Sequence, residues 1–253
     1  MNFFPFKYLM SRVFSNILEN TLSNNNECRI LMYHSLCASI DMNKNRYGIY
    51  QMGESSFKEQ MSFLVKSKNN YFSSLYEWNK NPKNLIITFD DGYLDTLLIA
   101  APILMEHKIP FSVFISPGLI ESNNKKYMCK QDLIELSKMD GCIIGSHGYS
   151  HFQLTKCNDK LLKSELINSK HWLEDTLSIP VDTMSYPHGM VDQRVRDFVC
   201  EADYKIAVSS RPGGNSKNKD SLCLNRTDIW SIDNLKTFNQ KVNGYWDWME
   251  WIN

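Results

Sequence analysis

The sequence predicts an α/β protein built on a parallel sheet, open or closed, in one domain. Three observations lead there. Short runs rich in apolar and β-branched residues alternate along the chain with longer amphipathic runs. Several of the short runs are almost continuously apolar, as strands covered on both faces should be. No stretch shifts in composition enough to mark a second unit, and 253 residues can bury one sizeable core.

The elements follow in order. From Phe6, the residues Phe6, Leu9, Met10, Val13 and Ile17 recur at helical spacing. Such a helix either packs on the body of the protein or lies on a membrane surface with Lys7 and Arg12 near the headgroups. Pro5, Lys7 and Arg12 break the apolar run, and it lacks a leading positive region and a small-residue cleavage site. Neither a secretory signal nor a membrane span is expected. Asn24, Asn25 and Asn26 read as a linker, so residues 1–26 form a helix and linker ahead of the main body from residue 27. Strands are expected over 28–33, 85–89, 111–115, 141–145, 182–186, 204–208 and 221–225. Helices are expected over 55–67, 94–107, 130–138, 158–177, 191–201 and 232–242, with Ser55 and Asn158 as N-caps. The last run is rich in aromatics, and Trp248, Trp251 and Ile252 share a helical face. That face suits packing against the body, sugar stacking or a membrane interface.

Composition narrows the function classes. Lys+Arg and Asp+Glu are both 28, so the general electrostatics of nucleic-acid binding are missing. With 43% hydrophobic and 22% charged residues, disorder and coiled coil are excluded. The cysteines number 7, an odd count, and none has C-x-x-C spacing. They read as reduced thiols, which places the chain in the cytoplasm or on the inner face of a membrane. Cys28 and Cys142 sit in apolar runs and are expected in the core.

In a parallel α/β sheet, function collects at the C-terminal ends of the strands. Asp90 and Asp91 stand just past the run 85–89, one carboxylate more than a helix cap needs. Two such neighbours repel unless a cation lies between them or one holds a proton. His147 and His151 follow the run 141–145 at i, i+4, a spacing that lets two imidazoles grip one divalent ion. Two His and one Asp make a facial set with open positions, and the spare Asp can serve as a base. A third strand end, Tyr186-Pro187-His188-Gly189, can turn an N–H toward a reacting carbonyl, or be an ordinary turn.

These residues resemble a known family. Thr88-Phe-Asp-Asp-Gly92, His147-x-x-x-His151 and Tyr186-Pro-His-Gly189 are similar, in order, to the first three motifs of the polysaccharide deacetylases, the NodB-homology domain of carbohydrate esterase family 4. The resemblance reaches from about Tyr33 to the last strand, so residues 27–253 read as one catalytic domain. It implies a distorted (β/α)7-type barrel, one divalent metal ion and removal of N-acetyl groups from a sugar. By that resemblance Asp91, His147 and His151 hold the metal, zinc by preference, with cobalt, nickel or iron as alternatives. Asp90 is the general base, and Tyr186, Pro187 and His188 line the oxyanion and substrate position.

Two departures stand out. Ser185 occupies the place of the arginine that tethers the catalytic aspartate in the family. Leu224-Asn-Arg226 replaces the final Leu-x-His, and an arginine cannot be a general acid near neutral pH. Arg226 could itself provide the tether. The acid then falls to His34, which closes the first strand, with His188 as the alternative. His107 and His171 fall inside helices and are read as surface or packing residues.

The expected activity is metal-dependent N-deacetylation of a sugar or glycan within glycan biosynthesis, on a substrate that is nucleotide-linked or lipid-linked. The same chemistry on a non-sugar amide or an O-acetyl ester is the first alternative. A carbohydrate-binding protein that has lost catalysis is the second.

Overall fold

The computed structural model describes residues 4–21, 27–38, 48–67 and 71–251. The expected linker 24–26, and with it the boundary at 26/27, lies outside them, as do Ile252 and the side chain of Trp251.

The strands are β1 (Arg29–Tyr33), β2 (Ser35–Cys37), β3 (Gln51–Gly53), β4 (Tyr71–Phe72), β5 (Asn84–Phe89), β6 (Phe111–Ile115), β7 (Cys142–Ser146), β8 (Thr183–Ser185), β9 (Ile206–Val208) and β10 (Thr227–Asp228). The helices are α1 (Phe4–Thr21), α2 (Glu54–Lys66), α3 (Ala101–Glu106), α4 (Pro117–Glu121), α5 (Lys130–Ser137), α6 (Asp159–Leu177), α7 (Gln193–Glu201) and α8 (Leu235–Val242). The main sheet runs β10-β1-β5-β6-β7-β8-β9, with β4 beside the start of β5, and every ladder in it is parallel. Right-handed twist curls such a sheet. Here its two edges meet through residues 224–228. Leu224 exchanges backbone hydrogen bonds with β9 (Leu224 N–H to Ala207 O 3.0 Å, Ser209 N–H to Leu224 O 2.8 Å), and Thr227 pairs with Leu31 of β1. The result is the expected distorted barrel.

Strand alternation separates two environments. Leu31, Tyr33, Leu85, Ile87, Phe89, Phe111 and Val113 point outward and pack under the helices. Ile30, Ile86, Phe114, Ile206, Val208 and Leu224 point inward and fill the barrel. Further along, the inward positions turn polar toward the mouth: Thr88 then Asp90 after Ile86, Ser210 after Val208, and Arg226 then Asp228 after Leu224.

Several elements differ from the sequence expectation. The strand expected over 221–225 shrinks to one bridge at Leu224. Asp220 bends the chain first, taking the Leu222 N–H on its carboxylate (3.0 Å) and the Cys223 N–H on its carbonyl (2.9 Å). The helix expected over 94–107 divides into a π-turn, Thr96–Ala100, and α3. Pro102 lacks the N–H that would bond four residues back, so the turn widens there. Ser55 is not an N-cap: α2 starts at Glu54 after Gly53. Asn158 does cap α6, accepting from Leu161 N–H. The short pair β2–β3, β4 and α4 have no clear periodic signal in so few residues.

The aromatic C-terminal run packs inward. Trp246 is buried, and the Trp248 indole N–H reaches Ser15 Oγ of α1 at 3.3 Å. Arg29 of β1 holds Asp247 through both guanidinium nitrogens (2.7 and 3.0 Å). All seven cysteines are free; Cys28 is buried, which pushes its thiol up to about 12, while Cys142 is half-buried.

Asn158→Ala should cost about 1 kcal/mol of stability by leaving the Leu161 N–H without its cap. Urea denaturation should show a lower midpoint with an unchanged slope.

Candidate active site

The polar side chains gather at the barrel mouth, where β1, β5, β7, β8 and β10 end. They line a cleft of about 360 Å³ whose walls include His34, Asp90, Asp91, His147, His151, His188 and Asp228.

Asp90 is buried at 3% exposure and lies against Arg226, which is 1% exposed. Arg226 donates to both carboxylate oxygens, Nη1 to Oδ1 and Nη2 to Oδ2, each at 2.7 Å. Its remaining donors are also used: Nε on Ser209 O (2.8 Å), Nη2 on Ser185 Oγ (2.8 Å) and Nη1 on Thr88 Oγ1 (3.2 Å). Ser185 Oγ in turn donates to Asp90 Oδ2 at 3.2 Å. A planar fork of this kind fixes a carboxylate in position and in rotation. Burial alone would raise the Asp90 pKa, but the charge of Arg226, then of His147, outweighs it and holds the carboxyl below its ordinary value.

Asp91, His147 and His151 converge. The His147 and His151 Nε2 atoms lie 3.4 and 3.1 Å from Asp91 Oδ1. One potential donor atom from each of the three falls within 4.8 Å of the others. His147 Nδ1 meets the Ser185 carbonyl at 2.9 Å, and a carbonyl only accepts, so Nδ1 carries the proton and Nε2 is left with its lone pair. Asp91 Oδ1 is buried and accepts no well-aligned hydrogen bond. A buried carboxylate oxygen within 3.4 Å of two imidazole nitrogens is a donor set that fits a divalent cation. Burial would raise the Asp91 pKa; the two histidines outweigh it and hold the group well below the ordinary range.

Three residues of the site carry strained backbone. Asp91 (φ 73°), His151 (φ 60°) and His188 (φ 60°) all adopt the left-handed conformation. Glu165 of α6, buried at 3%, steadies the loop between the histidines by accepting the Ser150 N–H at 2.8 Å. Gly189 (φ 70°) has no alternative, because a Cβ there would lie 2.2 Å from Ser210 Cβ.

His34 faces the same cleft, its ring 4.8 Å from that of Tyr50, and its Nδ1 is buried with no hydrogen-bond partner. Asp95 pins the chain just beyond it, accepting from Ser35 Oγ (2.7 Å) and Leu36 N–H (2.8 Å). Burial pushes the Asp95 carboxyl up to about 6. Asp228, also in the cleft wall, is half-buried with its Oδ1 out of water, and burial raises its pKa. The His188 ring lies 4.7 Å from that of His151, tilted by 52°, and burial, with the charge of His151, lowers its pKa.

The third strand end needs a correction. Tyr186 and Pro187 do not line the cleft. Tyr186 is fully buried and its hydroxyl donates to Leu222 O at 2.7 Å, because it faces outward into the layer under α6 and α7. The Gly189 N–H is taken by the Tyr186 carbonyl at 2.8 Å, so among these residues only His188 and Gly189 reach the cleft wall. Of the residues not singled out from sequence, Asp228 had a signal: it stands two positions past Arg226, which leads into β10, hence on the same face. Tyr50, Asp95 and Glu165 had none beyond a polar or aromatic residue in an apolar setting.

A family model for polysaccharide deacetylases matches residues 78–207, just over half of the chain. The chain belongs to the polysaccharide deacetylase family. It is 27% identical over 214 residues to a poly-β-1,6-N-acetyl-D-glucosamine N-deacetylase of Staphylococcus aureus, covering 78% of this chain and 73% of that one. Among solved structures, the deacetylase PplD of Streptococcus pyogenes in complex with acetate superposes with a TM-score of 0.77 at 21% identity, over 85% of this chain and 98% of that one. IcaB from Ammonifex degensii superposes at 0.70 with 18% identity, over 88% and 98%. This deacetylase thus shares the curled parallel barrel of those structures.

Two outcomes are expected of this site. Zinc titration by calorimetry should give one site per chain in the parent and none in the His147→Ala/His151→Ala double variant. Arg226→Lys should keep the charge but lose the fork, and Arg226→Ala should lose both. Without the guanidinium the Asp90 pKa rises, so the carboxylate is protonated at higher pH. The acid limb of the pH–rate profile should move upward, most in Arg226→Ala, while metal content stays unchanged.

Proposed function

We propose that this deacetylase is a metal-dependent N-deacetylase of an N-acetylated sugar or glycan, acting in glycan biosynthesis. The observation that carries the reading is the pair of roles built from adjacent residues. Asp90 is held as an anion by Arg226, while Asp91 turns the other way to join two histidines. A binding protein would need neither the strained turn at Asp91 nor a buried arginine spent on one carboxylate.

Asp91, His147 and His151 would hold a divalent ion, zinc by preference for two imidazoles and one carboxylate. When bound, such an ion supplies Lewis-acid polarisation of the acetyl carbonyl and lowers the pKa of water. The chain's own residues do the rest. Asp90, oriented by Arg226 and Ser185, accepts the proton of the attacking water. His34, which faces the cleft beside Tyr50, gives a proton to the departing amine. The cleft, with Tyr50 and His188 in its lining, would seat the acetylated ring. Seven free cysteines favour a reducing compartment, the cytoplasm, and a substrate met there on a nucleotide or a lipid carrier.

The test is acetate release from N-acetylated oligosaccharides with added zinc. Release should stop with a chelator and return with metal. His34→Ala should cut turnover by about 10² to 10⁴-fold with metal content intact. Normal turnover in His34→Ala together with loss in His188→Ala would transfer the acid role to His188. No release from any acetylated glycan, amide or ester by the zinc-loaded chain would leave a binding protein instead.

A further inference from the structure

Helix α1 is amphipathic in the reversed sense. Its inner side is polar: Ser11 and Ser15 are buried, and the Tyr8 hydroxyl lies 3.0 Å from both the Ile232 carbonyl and the Asp233 carboxylate. Glu19 accepts from Gln240 of α8 at 2.7 Å. The outer side carries Met10, Val13, Phe14 and Ile17, which remain 53%, 51%, 44% and 54% exposed. Their spacing makes one apolar stripe two turns long. A helix that only had to pack on the barrel would turn that stripe inward.

We infer that this stripe docks into the interfacial layer of an anionic lipid bilayer. The chain then works beside the membrane, on a substrate carried there; the substrate part rests on the deacetylase reading. Charge selects the lipid. In the sequence, Lys7 comes three residues before Met10 and seven before Phe14, and no residue from 4 to 18 is acidic. A cation beside an apolar row complements anionic headgroups over acyl chains. A second copy of the chain fits less well. A stable dimer takes roughly 800 Å² from each partner, well above what four half-exposed side chains offer. No described helix is long and apolar enough to cross a membrane, so α1 lies on the surface. The docked helix is joined to the cleft by one aromatic layer: the Tyr8 ring is 5.9 Å from Trp230 and 5.6 Å from Trp246, and Trp230 follows Asp228 of the cleft wall by two residues.

The experiment uses the full chain with vesicles of phosphatidylcholine alone or with added phosphatidylglycerol. Co-sedimentation is read beside the oligomeric state and beside acetate release from a soluble N-acetylated oligosaccharide. The chain should sediment with the phosphatidylglycerol vesicles. The variant M10S/V13S/I17S should bind on the order of tenfold more weakly or worse, because three apolar contacts are lost. Lys7→Gln should lose about fivefold, the weight of one basic residue near an anionic surface. Acetate release should be unchanged in both variants, which also shows that they fold. A parent chain that stays in the supernatant overturns the inference, whatever the enzyme assay gives. So does a stripe variant that binds like the parent, or a dimer that the stripe variant dissolves while neither form sediments. A chain that binds vesicles but releases no acetate supports the docking and faults the deacetylase reading.

Discussion

The bidentate pair between Arg226 and Asp90 is the constraint around which the barrel mouth is arranged. Both groups are out of water, and each isolated charge would be very costly there. The cost is offset only because all the guanidinium donors and both carboxylate oxygens find partners. Those partners come from different strands: Thr88 from β5, Ser185 from β8, Ser209 just past β9 and Arg226 just before β10. Removing one member would leave its partner buried and unpaired, at about 3–5 kcal/mol. The pair therefore closes the barrel and orients the carboxylate at once.

From this follows the division of labour between two adjacent aspartates. With Asp90 fixed toward Arg226, the left-handed turn at Asp91 sends the next carboxylate to the histidines. Ser185 serves both halves, its hydroxyl on Asp90 and its carbonyl on His147 Nδ1. The strained turns at Asp91 and His151 are bearable because β5 and the C-terminal end of β7 are buried and hold the loops that carry them. The site is rigid at its base, while the wall formed by His34, Tyr50 and Asp228 depends on the small β2–β3 pair and on Asp95.

Much of this was legible in the chain, for a simple reason. Strand alternation is local, so the apolar runs ending in Asp90, His147 and Tyr186 announced both the strands and the residues at their tips. Arg226 could be matched to Asp90 because two familiar positions were altered together. Where the reading failed, a neighbour distant in sequence decided. Tyr186 belongs to a motif, yet it points under the helices, because the residues that face inward on β8 are Thr183 and Ser185. The strand expected over 221–225 lost to the turn that Asp220 makes.

The sequence by itself determined the α/β class, the parallel order of its strands and the cluster of Asp and His at their ends. All of these rest on periodicity or on spacing within a few residues. The tertiary structure alone decided which way the stripe of α1 faces, that Asp228 and Tyr50 join His34, and that Glu165 supports the histidine loop. Those outcomes depend on contacts between segments far apart in the chain. Amphipathicity says that a helix has two faces; only the surface it packs against says which one is left outside.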